Sequence, residues 1–323
     1  MARPYRALFR QQSGHLHFHS FEDEKSYLLI FNTDTPEVLV KKFEIPQHSL
    51  IRSYMKIFWS LDGRYVVMPF AMADLSTGEL RVIPKQNCGV AGILAGPRMV
   101  LNCSIAGASR RIRIIDGSGA ILREWAFAYY ATVLDVASDV GKMAVHFADP
   151  GGTDGPPRNE IAMLDTADRE EMWRWPLSGQ DSYFGTFLKS GTKFCALQLA
   201  MATLDREFLC WDTSSGAEVS HTRLGAGFNP TIIGAGDNVG LEHYDVKHVP
   251  KLFWTLFETT FVETNHMRWI WDVKLGRKIA QWPTKSQRVF RGLSAPLAWT
   301  ISPTGDAVAE GGAGVITIYR LSP

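Results

Sequence analysis

Six passages of this sequence repeat one arrangement: an apolar run, a tight polar turn holding glycine, and a second apolar run. They are FWSLDGRYVVMP (58–69), ILAGPRMVLNCS (93–104), DVASDVGKMAVHF (135–147), TFLKSGTKFCAL (186–197), IIGAGDNVGLEH (232–243) and WTISPTGDAVAE (299–310). Glycine tolerates the positive φ that hairpin turns demand, and the Asp, Asn and Ser beside it favour turns by bonding to nearby backbone. Each passage predicts a β-hairpin. Recurrence at this spacing constrains the fold more than any single motif, because repeated units bury their faces against one another.

A second signature follows the hairpins: SYLLIFNTDTPEVLVKKF (26–43), RIRIIDGSGAILREW (111–125), EIAMLDTADREEMWRW (160–175), EFLCWDTSSGAEVSH (207–221) and RWIWDVKLGRKIAQW (268–282). An apolar strand ends in Asp or Asn, a short polar turn follows, and another strand departs. Asp116, Asp165, Asp212 and Asp272 recur about every 40 to 60 residues, the range of four-stranded propeller blades. Two hairpins per unit give four strands per unit.

Cys210-Trp211-Asp212 and Ile270-Trp271-Asp272, each before a turn with glycine, resemble the end of the third strand in WD-type repeats. Ser302-Pro303-Thr304-Gly305-Asp306 resembles the turn between the first two strands of such repeats. The chain is thus similar to a divergent WD-repeat-like (YVTN/WD-type) β-propeller family over nearly its whole length. The Gly-His dipeptide is absent from the expected places, so the family's His–Ser–Asp–Trp hydrogen-bond network does not carry over. The resemblance implies an all-β fold, a single closed propeller domain over 1–323. Its expected seven blades, of about four antiparallel strands, are 5–45, 46–85, 86–127, 128–176, 177–223, 224–283 and 284–323; six or eight would also fit the spacing. Residues 46–85 read as a compressed blade with little room for three strands after its turn. The last blade ends after its third strand, and Tyr5–Arg10 is expected to supply its outer strand and close the ring, removing an exposed edge.

Charge is balanced, with 34 basic and 33 acidic residues, which gives no reason to expect nucleic acid as a partner. No segment approaches the roughly 18 apolar residues of a membrane span, and the basic N-terminus lacks the apolar run of a secretory signal. Cys88, Cys103, Cys195 and Cys210 show no metal-type spacing, and the last three lie in apolar runs where a free thiol acts as a small hydrophobe. A cytoplasmic location is expected.

Three candidate sites stand out. In GHLHFHS (14–20) a strand places His15, His17 and His19 on one face. His15 and His17, about 7 Å apart, are the metal candidates, but no third ligand is supplied locally, so no metal and no cofactor are expected. ADPGGTDGPPRNE (148–160) reads as an extended connector, lacking calcium-loop spacing. HYDVKHVPKLFWTLFETTFVETNH (243–266) lengthens one unit; its apolar residues recur at helical intervals, while its threonines and aromatics suit a hairpin. Both insertions sit between second and third strands, on the propeller face that also carries the links between blades. Arg110, Arg111, Arg158 and Arg288 belong to that face, and Trp254 and Phe257 are rigid aromatics of the kind that anchor interfaces. These six are the candidate partner-binding residues.

No GxSxG elbow, P-loop, GxGxxG fingerprint or zinc-hydrolase motif occurs. The expected function is a non-catalytic scaffold binding a protein or peptide through its loop-bearing face, as a monomer or as a module of a larger complex. The alternative is a lactonase- or lyase-like enzyme at the channel mouth, for which His146 and Glu242-His243 are the best seeds.

Overall fold

The computed structural model describes residues 8–9, 15–22, 25–32, 39–45, 58–60, 62–68, 71–83, 88–104, 110–149, 158–168, 170–177, 182–188, 191–199, 205–226, 228–249, 260–283, 286–289, 293–296, 298–301, 307–312 and 315–320. Among them are six four-stranded sheets, each a plain antiparallel meander. The first holds β1 (Leu8–Phe9), β2 (His15–Glu22), β3 (Lys25–Asn32) and β4 (Leu39–Ile45); the second β5 (Phe58–Trp59), β6 (Tyr65–Met68), β7 (Ala71–Asp74) and β8 (Glu79–Val82). The third holds β9 (Cys88–Ile93), β10 (Met99–Ser104), β11 (Arg110–Ile115) and β12 (Ile121–Phe127); the fourth β13 (Tyr130–Ala137), β14 (Lys142–Asp149), β15 (Arg158–Asp165) and β16 (Glu171–Pro176). The fifth holds β17 (Ser182–Leu188), β18 (Lys193–Leu199), β19 (Asp205–Asp212) and β20 (Glu218–Ala226); the sixth β21 (Phe228–Ala235), β22 (Asn238–Val249), β23 (Thr260–Asp272) and β24 (Arg277–Pro283). A small hairpin, β25 (Ser286–Val289) with β26 (Leu293–Pro296), precedes a three-stranded terminal sheet of β27 (Ala298–Ile301), β28 (Ala307–Gly312) and β29 (Val315–Arg320).

The apolar core lies between sheets, because each strand's alternating side chains face two neighbours. Leu28, Ile30 and Phe43 of the first sheet pack on Val66, Met68 and Ala73 of the second. Val67, Met72, Ile93 and Leu101 join second to third, and Val100, Ile112, Val133, Val145 and Phe147 join third to fourth. Ala144, Met163, Phe194 and Trp211 fill the next seam, then Leu197, Phe208, Val239 and Leu241, then Ile270, Trp299, Ile301 and Val308. Innermost strands lie side by side in chain order: β5 against β9, β9 against β13, β13 against β17, β17 against β21, and β21 against β27. β1 lies against β27.

Three expectations need correction. Leu8 and Phe9 pair with His17 and Leu16, as the inner strand of the first sheet, not with the terminal sheet's outer edge. Among the described residues β29 has no fourth-strand neighbour. The second sheet fits three strands after its turn because β6, β7 and β8 are four residues each. The cysteines are not free thiols: Cys88 bonds Cys103 and Cys195 bonds Cys210, each pair directly opposite across adjacent strands.

Each recurring aspartate closes the turn after its third strand. Asp212 Oδ1 accepts from Ser214 N–H at 3.0 Å and from the Ser214 hydroxyl at 2.5 Å. Asp116 does the same with Ser118, Asp165 with the Ala167 and Asp168 amides, and Asp272 with Leu275. Asp74 is a further member, bonded to Ser76 and Thr77.

Candidate functional site

In such a meander the second-to-third connectors and the links between sheets leave at one end, opposite the hairpin and aspartate turns. At that end β22 and β23 outrun their sheet. Pairing of β21 with β22 reaches His243, opposite Phe228, and pairing of β23 with β24 begins at Met267, opposite Pro283. The two strands nevertheless stay paired with each other from Asp245 and Thr264 out to Val249 and Thr260. The insertion therefore continues as a β-ribbon and not as a helix over these residues. Trp254 and Phe257 fall in 251–259, outside the described residues. So do 150–157 of the other insertion; β14 and β15 stay paired up to Asp149 and Arg158, which fixes Arg158 at the first position of β15. Arg288 sits in the link between sheets, opposite Ser294 in the small hairpin.

Arg110 opens β11 at this end. Its guanidinium donates to the Ser104 hydroxyl and lies 5.3 Å from the centroid of the Tyr130 ring, a cation–π contact. Arg111 and Arg113 point to the other face, where both grip Glu124, at 2.8 and 2.6 Å. Tyr130, at the start of β13, is 42% exposed, and Phe184, on β17, is 41% exposed. β13 and β17 run in the same direction, and the Phe187 amide donates to Asp135 Oδ2 at 2.9 Å across them. Both rings thus lie toward the loop-bearing end of adjacent inner strands. Phe127, Tyr129 and Phe147, in the seam between the third and fourth sheets, form an aromatic cluster with centroids 5.0 to 6.2 Å apart.

Buried polar groups occupy the same end of the next seams. His146 of β14, 8% exposed, meets Asn159 Oδ1 through Nε2 at 2.6 Å. Burial pushes its imidazole below the usual range, with the Asn159 bond opposing that shift. His243 stacks on Trp269 at 4.9 Å. Glu242 and Arg268, opposite each other on β22 and β23, are 3% and 0% exposed; Arg268 Nε lies 3.9 Å from Glu242 Oε1, with its guanidinium 5.1 Å from the Trp299 ring of the terminal sheet. His146 and Glu242 hold equivalent positions two sheets apart, but both are engaged in seams between sheets. His15 and His17 pair opposite Asn32 and Ile30 on β3. Among the described residues no group of three or more His, Cys, Asp and Glu side chains gathers as a metal site.

The opposite end carries a shallow cleft lined in part by Arg64, Tyr65, Asp74, Glu79 and Arg81 of the second sheet and by Pro97 of the third. Its cations are already held: Arg64 by Asp74 at 2.8 Å and Arg81 by Glu79 at 2.9 Å.

No family model matches the chain, and no curated protein matches it. Solved structures do. An oligogalacturonate lyase in complex with manganese aligns with a TM-score of 0.59 at 12% identity, over 99% of this chain and 90% of its own. A mitotic checkpoint complex aligns with a TM-score of 0.59 at 12% identity, over 98% of this chain and 87% of that one. The β-propeller domain of the trilobed protease from Pyrococcus furiosus, described as having an open velcro topology, aligns with a TM-score of 0.57 at 11% identity, over 99% and 100%. The chain is a β-propeller. At these identities the likeness carries the fold alone, and propellers with enzymatic and with assembly-related descriptions are both among the neighbours. Among the described residues no helix of this propeller is long and apolar enough to cross a membrane.

Proposed function

We propose that this propeller is a non-catalytic scaffold that docks a protein or peptide partner on its loop-bearing face. The observation that carries the reading is the β-ribbon of β22 and β23, which runs on past both neighbouring strands at the end where Tyr130 and Phe184 are exposed. A paired ribbon that no described strand flanks is a poor source of stability by itself and a ready surface for recognition. Arg110, Arg111, Arg158 and Arg288 contribute from the same end, and Trp254 and Phe257 are the anchors of the ribbon's connector. The catalytic alternative gains no support from its seeds, since His146 and Glu242 are buried in seams.

The ring in this reading has seven blades of divergent WD type: the six four-stranded sheets and the terminal sheet, with boundaries near those expected from the repeats. It closes where β1 meets β27. The test replaces Trp254 and Phe257 together with alanine and compares capture of binding proteins by the two forms, quantified by mass spectrometry. The expected result is loss of a specific bound protein with an unchanged melting temperature. Unfolding of the variant would return both residues to the core, and identical capture by the two forms would remove them from the interface.

A further inference from the structure

The two disulfides are built alike and placed differently. Each joins directly opposed residues on neighbouring strands at a sequence separation of 15. Cys195 and Cys210 sit on the two central strands of the fifth sheet, fully buried among Leu197, Phe208, Val239 and Leu241. Cys88 instead opens β9, the innermost strand of the third sheet, at the loop-bearing end, and is only partly buried. Gly89 beside it is exposed, and no atom lies within 4 Å of where a side chain would begin there. Of the four sulfurs, that of Cys88 is the one an incoming thiol can approach.

Cys103, 3% exposed, is the inner sulfur of its pair. Opposite it on β11 is Arg111, on the same face of the sheet. Directly opposed residues hold their Cβ atoms about 5 Å apart, within the combined reach of an arginine and a cysteine. Arg111 Nη1 donates to Glu124, but Arg111 Nε is buried and has no hydrogen-bond partner among the described residues. A buried donor left without an acceptor is costly, and a thiolate at Cys103 would supply the acceptor. The charged groups that register places on this face are Arg111 and Arg113 of β11 and Glu124 of β12, and Tyr65 packs into the same cluster from the second sheet.

We propose that Cys88–Cys103 is a thiol–disulfide exchange site that takes a dithiol reductant, while Cys195–Cys210 is a fixed cross-link. A thiolate of the reductant attacks Cys88 Sγ, the Sγ–Sγ bond breaks, and Cys103 leaves as a thiolate that accepts from Arg111 Nε–H. The second thiol of the reductant, deprotonated, then attacks the mixed disulfide and releases Cys88. Two electrons pass to the protein, the reductant departs as its own disulfide, and its two thiol protons go to the cysteines or to solvent. Arg111 contributes by stabilising the leaving sulfur, as a cation beside a thiolate does.

The experiment exposes the folded, oxidised protein to dithiothreitol or to glutathione, quenches with acid, and maps each cysteine by alkylation and mass spectrometry while tryptophan fluorescence reports folding. Dithiothreitol is expected to reduce Cys88–Cys103 about tenfold or more faster than Cys195–Cys210, with fluorescence unchanged, and an oxidised dithiol should restore the bond. Glutathione, which has no second thiol, should leave its adduct on Cys88 and a free thiol at Cys103. Arg111→Gln should slow the reduction about threefold or more. It should also move the thiolate ultraviolet absorbance of the reduced protein to higher pH, a change that lost packing alone would not produce. If that variant fails to fold, the wild-type rates and the position of the adduct decide. Reduction of both pairs together, only as the protein unfolds, would overturn the proposal. An adduct on Cys103, or an unchanged rate in Arg111→Gln, would overturn the part given to Arg111.

Discussion

Replacing Glu242 with alanine probes the seam that seats the terminal sheet. Arg268 is fully buried there, with Trp299 against its guanidinium and Glu242 Oε1 3.9 Å from its Nε. At that separation an effective dielectric of about 20 gives an attraction of about 4 kcal/mol. The net worth of the intact pair is smaller, because both ions gave up water to be there. Removing one partner is a different matter: the remaining charge stays buried, and such truncations cost about 3–5 kcal/mol. The assay is urea unfolding followed by tryptophan fluorescence. With a slope of about 3 kcal/mol per molar, the midpoint should fall by about 1–1.7 M. A double variant, Glu242→Leu with Arg268→Met, removes both charges while keeping volume and should recover most of the loss. A midpoint shift under about 0.3 M for Glu242→Ala, or a double variant no better than the single one, would refute the account of a coupled buried pair.

Four further outcomes are expected. His146 is held below its ordinary pKa by burial, so the unfolded chain takes the proton more readily; its contribution to stability is complete above about pH 6.5 and is lost as pH falls from there through the lowered folded value. Melting temperatures across pH 5 to 7.5 should therefore fall more steeply for the wild type than for His146→Gln, whose amide can still donate to Asn159. Asp212 is held at about 2 by the Ser214 hydroxyl and then the Ser215 amide; its contribution is complete above about pH 4 and is lost as pH falls toward 2, a dependence that Asp212→Asn should remove in acid unfolding. Under mild reductant, alkylation mapping should label Cys88 and Cys103 before Cys195 and Cys210, since Cys88 is half-buried and the second pair fully buried. Replacing the second pair with alanines, closed over a separation of 15 residues, should cost about 3 kcal/mol in urea unfolding.

The strand pattern was legible where turn chemistry and apolar runs coincide. Gly63, Gly96, Gly141, Gly191 and Gly236 sit in the hairpin turns of five of the six passages, and all have positive φ; the sixth turn, 302–306, lies outside the described residues. The aspartates were legible for a similar reason, since a carboxylate that caps a turn must sit at a fixed offset from its strand. Asp74 escaped because the strands of its sheet have four residues or fewer, too short to show alternation. The disulfides escaped because pairing depends on register across strands, although the equal separation of 15 in both pairs was a usable signal. The engagement of Arg268 with Glu242 and Trp299 depends on which strands and sheets face each other, and nothing local in the sequence encodes that. Tyr130 and Phe184 gave no sign of exposure either, because aromatic residues in strand runs are ordinarily buried.

Both covalent cross-links fasten a strand to its immediate neighbour in the same sheet, and all four cysteines are used this way. None rivets one blade to the next. Cohesion between the described blades therefore rests on noncovalent contacts, chiefly aliphatic and aromatic packing, with polar links such as the Phe187 amide to Asp135 and Lys193 to Asp237. Under a pulling force the molecule should come apart blade by blade, each stapled blade surviving as a compact tile after its seams have opened.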